Sequence, residues 1–254
     1  MIYLLGHKGF VGSAIAKFLE KNRIEFRGID RENYASLKGT SCDIFINAGG
    51  SSKKRLATED PAKDLELNLI STLRTLADFK FRKYVLISSI DVYNDVSSPK
   101  NNSESAEIDA SKLSNYGLSK YLCEMAVKKG CKNWLILRLG GMVGEGLKKN
   151  AIFDLLTRKS LFVHPQSKYQ YMDTRDVAKV LWALKEKENE IYNVCGDYAV
   201  SLEDVAKNLG IILPKENYSL NKEAYNINVE KAKRIVAIRP SMDAVLEFAK
   251  SFKA

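Results

Sequence analysis

Short apolar runs alternate with stretches of helical spacing from the second residue of the chain onward. Ile2–Leu5 is an unbroken apolar run, and residues 11–22 place their apolar side chains on one side of a helix. Strand runs without polar alternation are typical of a parallel sheet that helices cover on both faces. The pattern therefore predicts an α/β fold with a Rossmann-type, doubly wound parallel sheet. The further predicted strands are 25–29, 43–47, 84–87, 134–137 and 191–194, and the further predicted helices are 62–79, 115–129, 151–157, 176–187, 202–209 and about 242–252.

The rhythm of strands and helices loosens after Arg138. Four glycines between residues 140 and 146 predict a loop, and residues 162–171 are polar and irregular. We therefore expect two units. The first is a Rossmann domain made of residues 1–140 and about 173–195, and the second is a small C-terminal substrate lobe made of about 141–172 and 196–254.

Composition and charge argue against several function classes. The net charge is +9, but lysine and arginine are spread along the chain, which favours a solvated surface over a nucleic-acid site. No apolar run approaches the roughly 18 residues of a membrane span, and the N-terminus does not resemble a signal peptide. Cys42, Cys123, Cys131 and Cys195 form no CxxC pair. We therefore expect no metal site, and reduced thiols in the cytoplasm.

The first predicted strand runs into the segment GHKGFVG, which opens the first predicted helix. Glycines let the backbone turn sharply and approach a pyrophosphate, while a helix N-terminus supplies free N–H groups and partial positive charge. The spacing is GxxGxxG rather than GxGxxG, and a packed turn without a ligand is the alternative interpretation. We predict that this turn binds a dinucleotide through Gly6, Lys8, Gly9, Phe10, Val11 and Gly12.

The next two predicted strands also end in residues that suit a dinucleotide. Asp30 follows the second strand, where a carboxylate can accept hydrogen bonds from the adenosine ribose and repels a 2′-phosphate. This predicts NAD as the cofactor, with NADP as the alternative because Arg31 and Lys8 are close in sequence to that pocket. Ala48, Gly49 and Gly50 follow the third strand, where small residues would let a cofactor lie against the sheet.

A tyrosine and a lysine in the segment YGLSK are the candidate catalytic pair. Tyr116 and Lys120 are four residues apart, so they share one face of a helix. A nearby ammonium group favours the phenolate and is expected to lower the tyrosine pKa, so that the phenol can exchange a proton with a carbonyl or alcohol. Ser88 and Ser89 end a strand, and we expect the Ser89 hydroxyl to meet the Tyr116 phenol. The alternative interpretation is an exposed helix face.

With these motifs in order, the chain resembles the extended short-chain dehydrogenases/reductases, the NAD-dependent epimerase/dehydratase group. The matching motifs are GHKGFVG, DIFINAGG, LELNLISTL, VLISSIDVY, YGLSK, LILRLGGMVGEG and MDTRDVA, and GHKGFVGSAI is similar to the fucose-synthase branch. The resemblance implies a catalytic set of Ser89, Tyr116 and Lys120, and cofactor contacts from Asn68, Ser88, Tyr116 and Lys120. It also implies NAD as cofactor and a nucleotide sugar as substrate.

The sequence departs from the family pattern in three places. Only twelve residues separate Asp30 from Asp43, where the family usually has another helix and strand, so this unit is predicted to be shortened. Gly141 stands where members often have an asparagine for the nucleotide sugar. An arginine that often binds the sugar-nucleotide phosphate is replaced near Tyr169. Residues 53–55 (KKR) are interpreted either as phosphate contacts or as a solvated charge run.

The leading hypothesis is an NAD(P)-dependent oxidoreductase, epimerase or dehydratase that acts on a nucleotide sugar or a related sugar. Tyr116 transfers the proton, Ser89 orients the oxygen, and Lys120 holds the nicotinamide ribose. The alternative is a non-catalytic NAD(P)-binding sensor or regulatory protein, which an intact Ser-Tyr-Lys set argues against. An RNA-binding protein on a Rossmann scaffold is a third and weaker hypothesis. The oligomeric state is open, with a homodimer among the alternatives.

Overall fold

A six-stranded parallel sheet forms the centre of the computed structural model, which describes residues 1–252. The strands of the chain are β1 (Ile2–Leu5), β2 (Phe26–Ile29), β3 (Ser41–Asn47), β4 (Lys80–Ser89), β5 (Trp134–Leu139), β6 (Gly141–Val143), β7 (Lys168–Tyr169), β8 (Tyr171–Asp173), β9 (Glu190–Val194) and β10 (Val200–Ser201). The sheet has the order β2-β1-β3-β4-β5-β9, and every neighbouring pair is parallel. The carboxyl ends of all six strands therefore meet at one edge.

Helices cover the sheet on both faces, which confirms the predicted doubly wound α/β fold. The helices are α1 (Phe10–Lys21), α2 (Tyr34–Leu37), α3 (Lys54–Glu59), α4 (Pro61–Leu65), α5 (Ser71–Asp78), α6 (Asn115–Gly130), α7 (Ala151–Leu156), α8 (Thr174–Ala183), α9 (Leu202–Asn208), α10 (Glu230–Lys233) and α11 (Ser241–Ser251). Leu19 of α1 and Leu181 of α8 belong to the apolar core on one face. Cys123 and Val127 of α6 belong to the core on the other.

The unit between β2 and β3 is shortened, as the sequence predicts. It contains only the single turn α2, so β2 pairs with β1 alone and forms an edge of the sheet. The loop that opens this unit is held by side-chain hydrogen bonds around Asp30 and Asn33. A compact turn therefore connects β2 to β3, where the resemblance implies another helix and strand.

The helix predicted for residues 62–79 is interrupted. It consists of α4, a π-helical turn at Glu66–Ile70, and α5. A π turn inserts one residue into the helical repeat and changes which side chains face inward. Asn68 lies in this turn and is 3% exposed. The period of apolar residues alone could not predict this interruption, because its neighbours on both sides keep helical spacing.

The C-terminal part of the chain has an apolar core of its own. Val143 of β6, Ile152 of α7, Val205 of α9 and Val245 of α11 are buried in this core, and Phe10 packs against it as well as against the sheet core. The predicted residue limits of the two domains stay a prediction. Positions 253 and 254, at the end of the predicted lobe, lie outside the described residues.

Residues 223–229, which we call the strap, connect that lobe to the loop after β4. The backbone N–H of Tyr225 donates to the Lys168 carbonyl at 2.8 Å, and the N–H of Lys168 donates to the Glu223 carbonyl at 2.9 Å. One residue further on, the N–H of Asn226 donates to the Val96 carbonyl at 2.7 Å. The strap therefore brings Tyr225 from the C-terminal part of the chain to the carboxyl edge of the sheet.

A buried ion pair joins α6 to the sheet. Arg138 of β5 donates from Nε and Nη2 to the two carboxylate oxygens of Glu124, at 3.0 and 2.7 Å. Ser88 of β4 donates to the same carboxylate at 2.6 Å, and the Arg138 guanidinium lies over the Tyr93 ring. Both charged side chains are almost fully buried. Buried charges need a partner of opposite charge, because an isolated one loses its hydration without compensation.

We expect Glu124→Gln to lower the free energy of unfolding by about 3–5 kcal/mol, since it leaves the buried Arg138 charge uncompensated. Glu59→Gln is the matched control, because it breaks the exposed pair with Arg55 and should change stability by less than about 1 kcal/mol. Urea unfolding followed by circular dichroism measures both values. Equal stabilities of the two variants would contradict a structural role for the buried pair.

Candidate active site

The glycine turn after β1 brings two backbone segments into close approach. Gly6 has a φ of +79°, and a Cβ there would lie 2.7 Å from the Ala48 carbonyl oxygen. A Cβ on Gly12 would lie 2.1 Å from the Gly6 carbonyl oxygen. Gly9 is the N-cap of α1 and has no side chain to cap the first helical turn. The free N–H groups of that turn and the open backbone suit a bound anion such as a pyrophosphate.

Asp30 lies at the end of β2 and is paired with the glycine turn. Its carboxylate accepts from the N–H groups of Glu32 and Asn33 and is 2.6 Å from the Lys8 ammonium. The hydrogen bond from Lys8 holds the pKa of Asp30 below its usual value. Arg31 is exposed beside this pair. A carboxylate that accepts hydrogen bonds and a lysine that can meet a phosphate therefore lie together at this corner.

The loop after β3 is held by two buried asparagines. Asn47 Oδ1 accepts from the N–H of Gly49 at 3.0 Å, and Asn68 Oδ1 accepts from the N–H of Ser51 at 3.0 Å. Gly50 has a φ of +95°, and a Cβ there would lie 2.5 Å from Asn68 Oδ1. The π-helical turn at Glu66–Ile70 places Asn68 at this loop. The loop, with Ala48 at its start, therefore has a defined shape at the edge of the sheet.

Ser89 and Tyr116 come together where β4 ends and α6 begins. The α6 N-terminus approaches the turn after β4 so closely that a Cβ on Gly117 would lie 2.2 Å from the Asp91 carbonyl oxygen. The Ser114 hydroxyl caps α6 by accepting from the N–H of Gly117 at 3.1 Å. Ser89 lies within hydrogen-bonding reach of the Tyr116 phenol, and both residues are 7% exposed. The two hydroxyl groups are therefore neighbours at the carboxyl edge, as the motif order predicts.

The electrostatics of this pair differ from the prediction that Lys120 lowers the tyrosine pKa. The pKa of Tyr116 is raised, chiefly by burial and then by the Asp91 carboxylate, while the Lys54 charge lowers it in part. Lys120 is 7% exposed and its Nζ donates to the Ile87 carbonyl oxygen at 3.3 Å. Burial lowers the pKa of Lys120. Desolvation thus outweighs the attraction that spacing on a helix suggests.

Sequence reasoning missed a group of side chains at the same place. Lys54 Nζ lies 2.6 Å from Asp91 Oδ1 and donates to the Tyr225 hydroxyl at 3.1 Å. The Ser89 hydroxyl donates to Asp91 Oδ2 at 2.9 Å. Tyr225 in turn stacks on Tyr169, with ring centroids 5.4 Å apart. In the sequence, only the KKR run at residues 53–55 indicated this group. Arg55 of that run is not part of the group, because it pairs with Glu59.

Residues 1–252 hold neither a metal-ligand cluster nor a membrane-spanning helix. No group of three or more histidine, cysteine, aspartate or glutamate side chains is arranged to hold a metal ion there. None of the helices in that range combines the length and apolarity that a transmembrane span requires. His164 lies in a loop, where its Nδ1 accepts from the N–H of Gln166 at 3.0 Å.

Comparison with known proteins gives one family and many similar folds. The NAD dependent epimerase/dehydratase family matches residues 2–195. A UDP-galactose 4-epimerase structure has a TM-score of 0.78 and 21% identity, covering 98% of this chain and 97% of that one. UDP-glucuronic acid 4-epimerase from Bacillus cereus, in complex with UDP-glucuronic acid and NAD, has a TM-score of 0.78 and 20% identity over 98% and 99%. RMD from Pseudomonas aeruginosa, complexed with NADPH, has a TM-score of 0.74 and 18% identity over 98% and 100%. No match was found among curated protein sequences.

We expect Gly117→Ala to lower the free energy of unfolding by about 1–3 kcal/mol, because the added methyl group collides with the Asp91 carbonyl and α6 must shift. Gly130→Ala is the matched control on the same helix. Its Cβ would meet only the end of the Leu76 side chain at 3.3 Å, and it should leave stability nearly unchanged. Thermal and urea unfolding of both variants test the close approach. A Gly117→Ala variant as stable as the Gly130→Ala variant would show that the approach is looser.

Proposed function

The chain belongs to the NAD-dependent epimerase/dehydratase family, and from this premise we propose that it is an enzyme acting on a nucleotide sugar, with Tyr116 as the acid–base group. The observation that carries the proposal is the meeting of the Ser89 hydroxyl and the Tyr116 phenol at the carboxyl edge of the sheet. Ligands of open α/β sheets bind at that edge. Fold similarity to the epimerases supports the same placement, since those structures align over nearly the whole chain.

The residues present fit a bound NAD. The uncapped N-terminus of α1 and the space above Gly6 and Gly12, which a Cβ would fill, suit the pyrophosphate. Asp30 and Lys8 suit the adenosine ribose, and the loop at Ala48 suits the middle of the cofactor. When bound, the nicotinamide supplies hydride exchange with a substrate carbon. The neighbours that were crystallised with NAD or NADPH support this class of cofactor.

The chain's own residues handle the proton. Tyr116 gives a proton to the substrate oxygen when a carbonyl is reduced and takes one from the hydroxyl when an alcohol is oxidised. Ser89 holds the same oxygen in place. Lys120 is anchored beneath Tyr116 by the Ile87 carbonyl, from where it is positioned to contact the ribose. Burial of all three side chains keeps water from competing for the reacting oxygen.

The substrate would lie between the sheet edge and the lobe at 141–172 and 196–254. Three lysines near the opening favour an anionic substrate. Lys149 Nζ donates to the Ser52 carbonyl at 3.0 Å, which brings it to the loop that carries Lys53. Burial and the neighbouring charges of Lys53 and Lys54 lower the pKa of Lys149. A polyanion reduces the repulsion between such like charges, and the diphosphate of a nucleotide sugar is one.

The proposal is tested by incubating the purified protein with NAD or NADH and a panel of nucleotide sugars, followed by mass spectrometry. New product mass or an altered sugar, together with retained cofactor, would support it. Retained cofactor without any product from the panel would favour the sensor alternative. A protein that retains no dinucleotide in native mass spectrometry would overturn both interpretations.

Tyr116→Phe is expected to reduce turnover by about 10²–10⁴-fold, because it removes the proposed proton carrier. Cofactor affinity should stay within a few-fold, since the ring and Lys120 remain. Tyr121→Phe, on the same helix, is the control and should keep wild-type turnover. Steady-state rates and cofactor titration by fluorescence measure these values. Near wild-type turnover in a folded Tyr116→Phe variant would remove Tyr116 from the mechanism.

NAD is expected to bind more tightly than NADP, because the Asp30 carboxylate occupies the place where a 2′-phosphate would lie. Asp30→Ser should shift the ratio of the two dissociation constants toward NADP by about tenfold, since it frees Lys8 for the phosphate. Glu32→Gln is the control, because Glu32 is exposed and 3.8 Å from the same ammonium. Calorimetric titration with both dinucleotides decides the matter. A ratio that Asp30→Ser leaves unchanged would assign the preference to other residues.

A further inference from the structure

Asp91 is engaged on both of its carboxylate oxygens beside the two candidate hydroxyls. Oδ2 accepts the Ser89 hydroxyl proton at 2.9 Å, and Oδ1 lies 2.6 Å from the Lys54 ammonium. A serine hydroxyl has one proton to donate and lone pairs to accept with. Because that proton is directed to Asp91 when no substrate is bound, the Ser89 oxygen is then available only as an acceptor toward Tyr116.

We propose that Asp91 and Lys54 form a positioning pair, in which Asp91 makes Ser89 a hydrogen-bond acceptor for the Tyr116 phenol and Lys54 offsets the Asp91 charge at that phenol. The inference rests on the proposed function only in taking Tyr116 as the proton carrier. Neither residue touches the reacting atoms in this role. Each acts through Ser89 or through its charge.

The balance of charge around Tyr116 supports the pair. Burial raises the pKa of the phenol, the Asp91 charge raises it further, and the Lys54 charge lowers it in part. A Ser89 hydroxyl that accepts from the phenol stabilises its protonated form. Asp64 of α4 also raises it, but its carboxylate is held by the Asn68 amide at 3.0 Å. The other charged group near Tyr116 on α6 is Lys120, whose ammonium donates to the Ile87 carbonyl oxygen. Removal of Lys54 alone would therefore leave Asp91 unopposed and make the phenol harder to ionise.

The surroundings of Lys54 indicate that its pairing with Asp91 persists. Burial lowers the pKa of Lys54, but the charges of Asp91 and Tyr225 outweigh it, so the pKa is raised and the side chain stays charged. Its ammonium also lies over the Tyr225 ring, 5.1 Å from the centroid. Tyr225 comes from the strap, and its hydroxyl is 3.5 Å from Asp91 Oδ1. Because the Lys54 side chain is 55% exposed, its ion pair with Asp91 contributes little to the stability of the fold.

The test is a direct titration of residue 116 in the full chain without substrate. 3,5-Difluorotyrosine is incorporated at position 116, where its phenol ionises at lower pH than tyrosine and its ¹⁹F signal reports this site alone. Lys54→Gln should raise the pKa of the probe by about 1 pH unit, and Asp91→Asn should lower it by about as much. The double variant should return close to the parent value.

Two variants separate charge from structure. Arg55→Gln removes the same charge one residue along α3, but its partner is Glu59, so it should leave the titration unchanged. Lys54→Arg keeps the charge and should restore the parent titration. Thermal unfolding of each variant shows whether it is folded. If Asp91→Asn does not fold, the comparison of Lys54→Gln with Lys54→Arg decides the result.

A probe whose pKa Lys54→Gln leaves unchanged or lowers would overturn the pair. So would equal shifts in Lys54→Gln and Arg55→Gln. Because the titration needs no substrate, its outcome is independent of whether any nucleotide sugar is turned over. Failure of the sugar panel would remove the proposed reaction and leave the measured coupling of Lys54 and Asp91 to Tyr116 in place.

Discussion

The candidate site depends on one buried carboxylate. Tyr116, Lys120 and Glu124 follow one another at intervals of four residues along α6, so they face the sheet together. Glu124 is held by Arg138 of β5 and by Ser88 of β4. Any rotation or sliding of α6 would break these contacts in an environment that offers no water to replace them. The ion pair of Glu124 therefore fixes the rotation of α6 and its position along the sheet. It thereby positions the phenol of Tyr116 and the ammonium of Lys120, which precede Glu124 on the helix.

The fold and the location of the site followed from patterns that are local in sequence. The apolar runs, the glycine turn and the YGLSK segment each predict the local structure of their own segment. The connections between parallel strands then bring the ends of these segments to one edge of the sheet. The π turn at Asn68 was not predictable, because it changes the phase of a helix without changing its composition. The pKa of Tyr116 was predicted in the wrong direction, since spacing shows that Lys120 is near but not how deeply both groups are buried.

The group around Asp91 could not be found from sequence for a different reason. Lys54, Asp91 and Tyr225 come from segments far apart in the chain, and each is an ordinary residue in its own segment. Only side-chain packing between the loop after β3, the turn after β4 and the strap brings them within hydrogen-bond distance. Asp91 links this group to the candidate pair, because it accepts from the Ser89 hydroxyl. The electrostatic environment of the site is thus set by tertiary contacts, while its catalytic candidates are set by motif.

The position of the strap in the chain has a consequence for synthesis. All the proposed catalytic side chains lie within the first half of the sequence, and they emerge from the ribosome before β9, the lobe and Tyr225. Domains begin to fold as they emerge, from the N-terminus onward. The growing chain therefore holds its glycine turn and its tyrosine for some time with the edge of the sheet uncovered. The strap is translated after all six strands of the sheet, so the nascent chain carries Lys54 and Asp91 at the sheet edge before Tyr225 can pair with them.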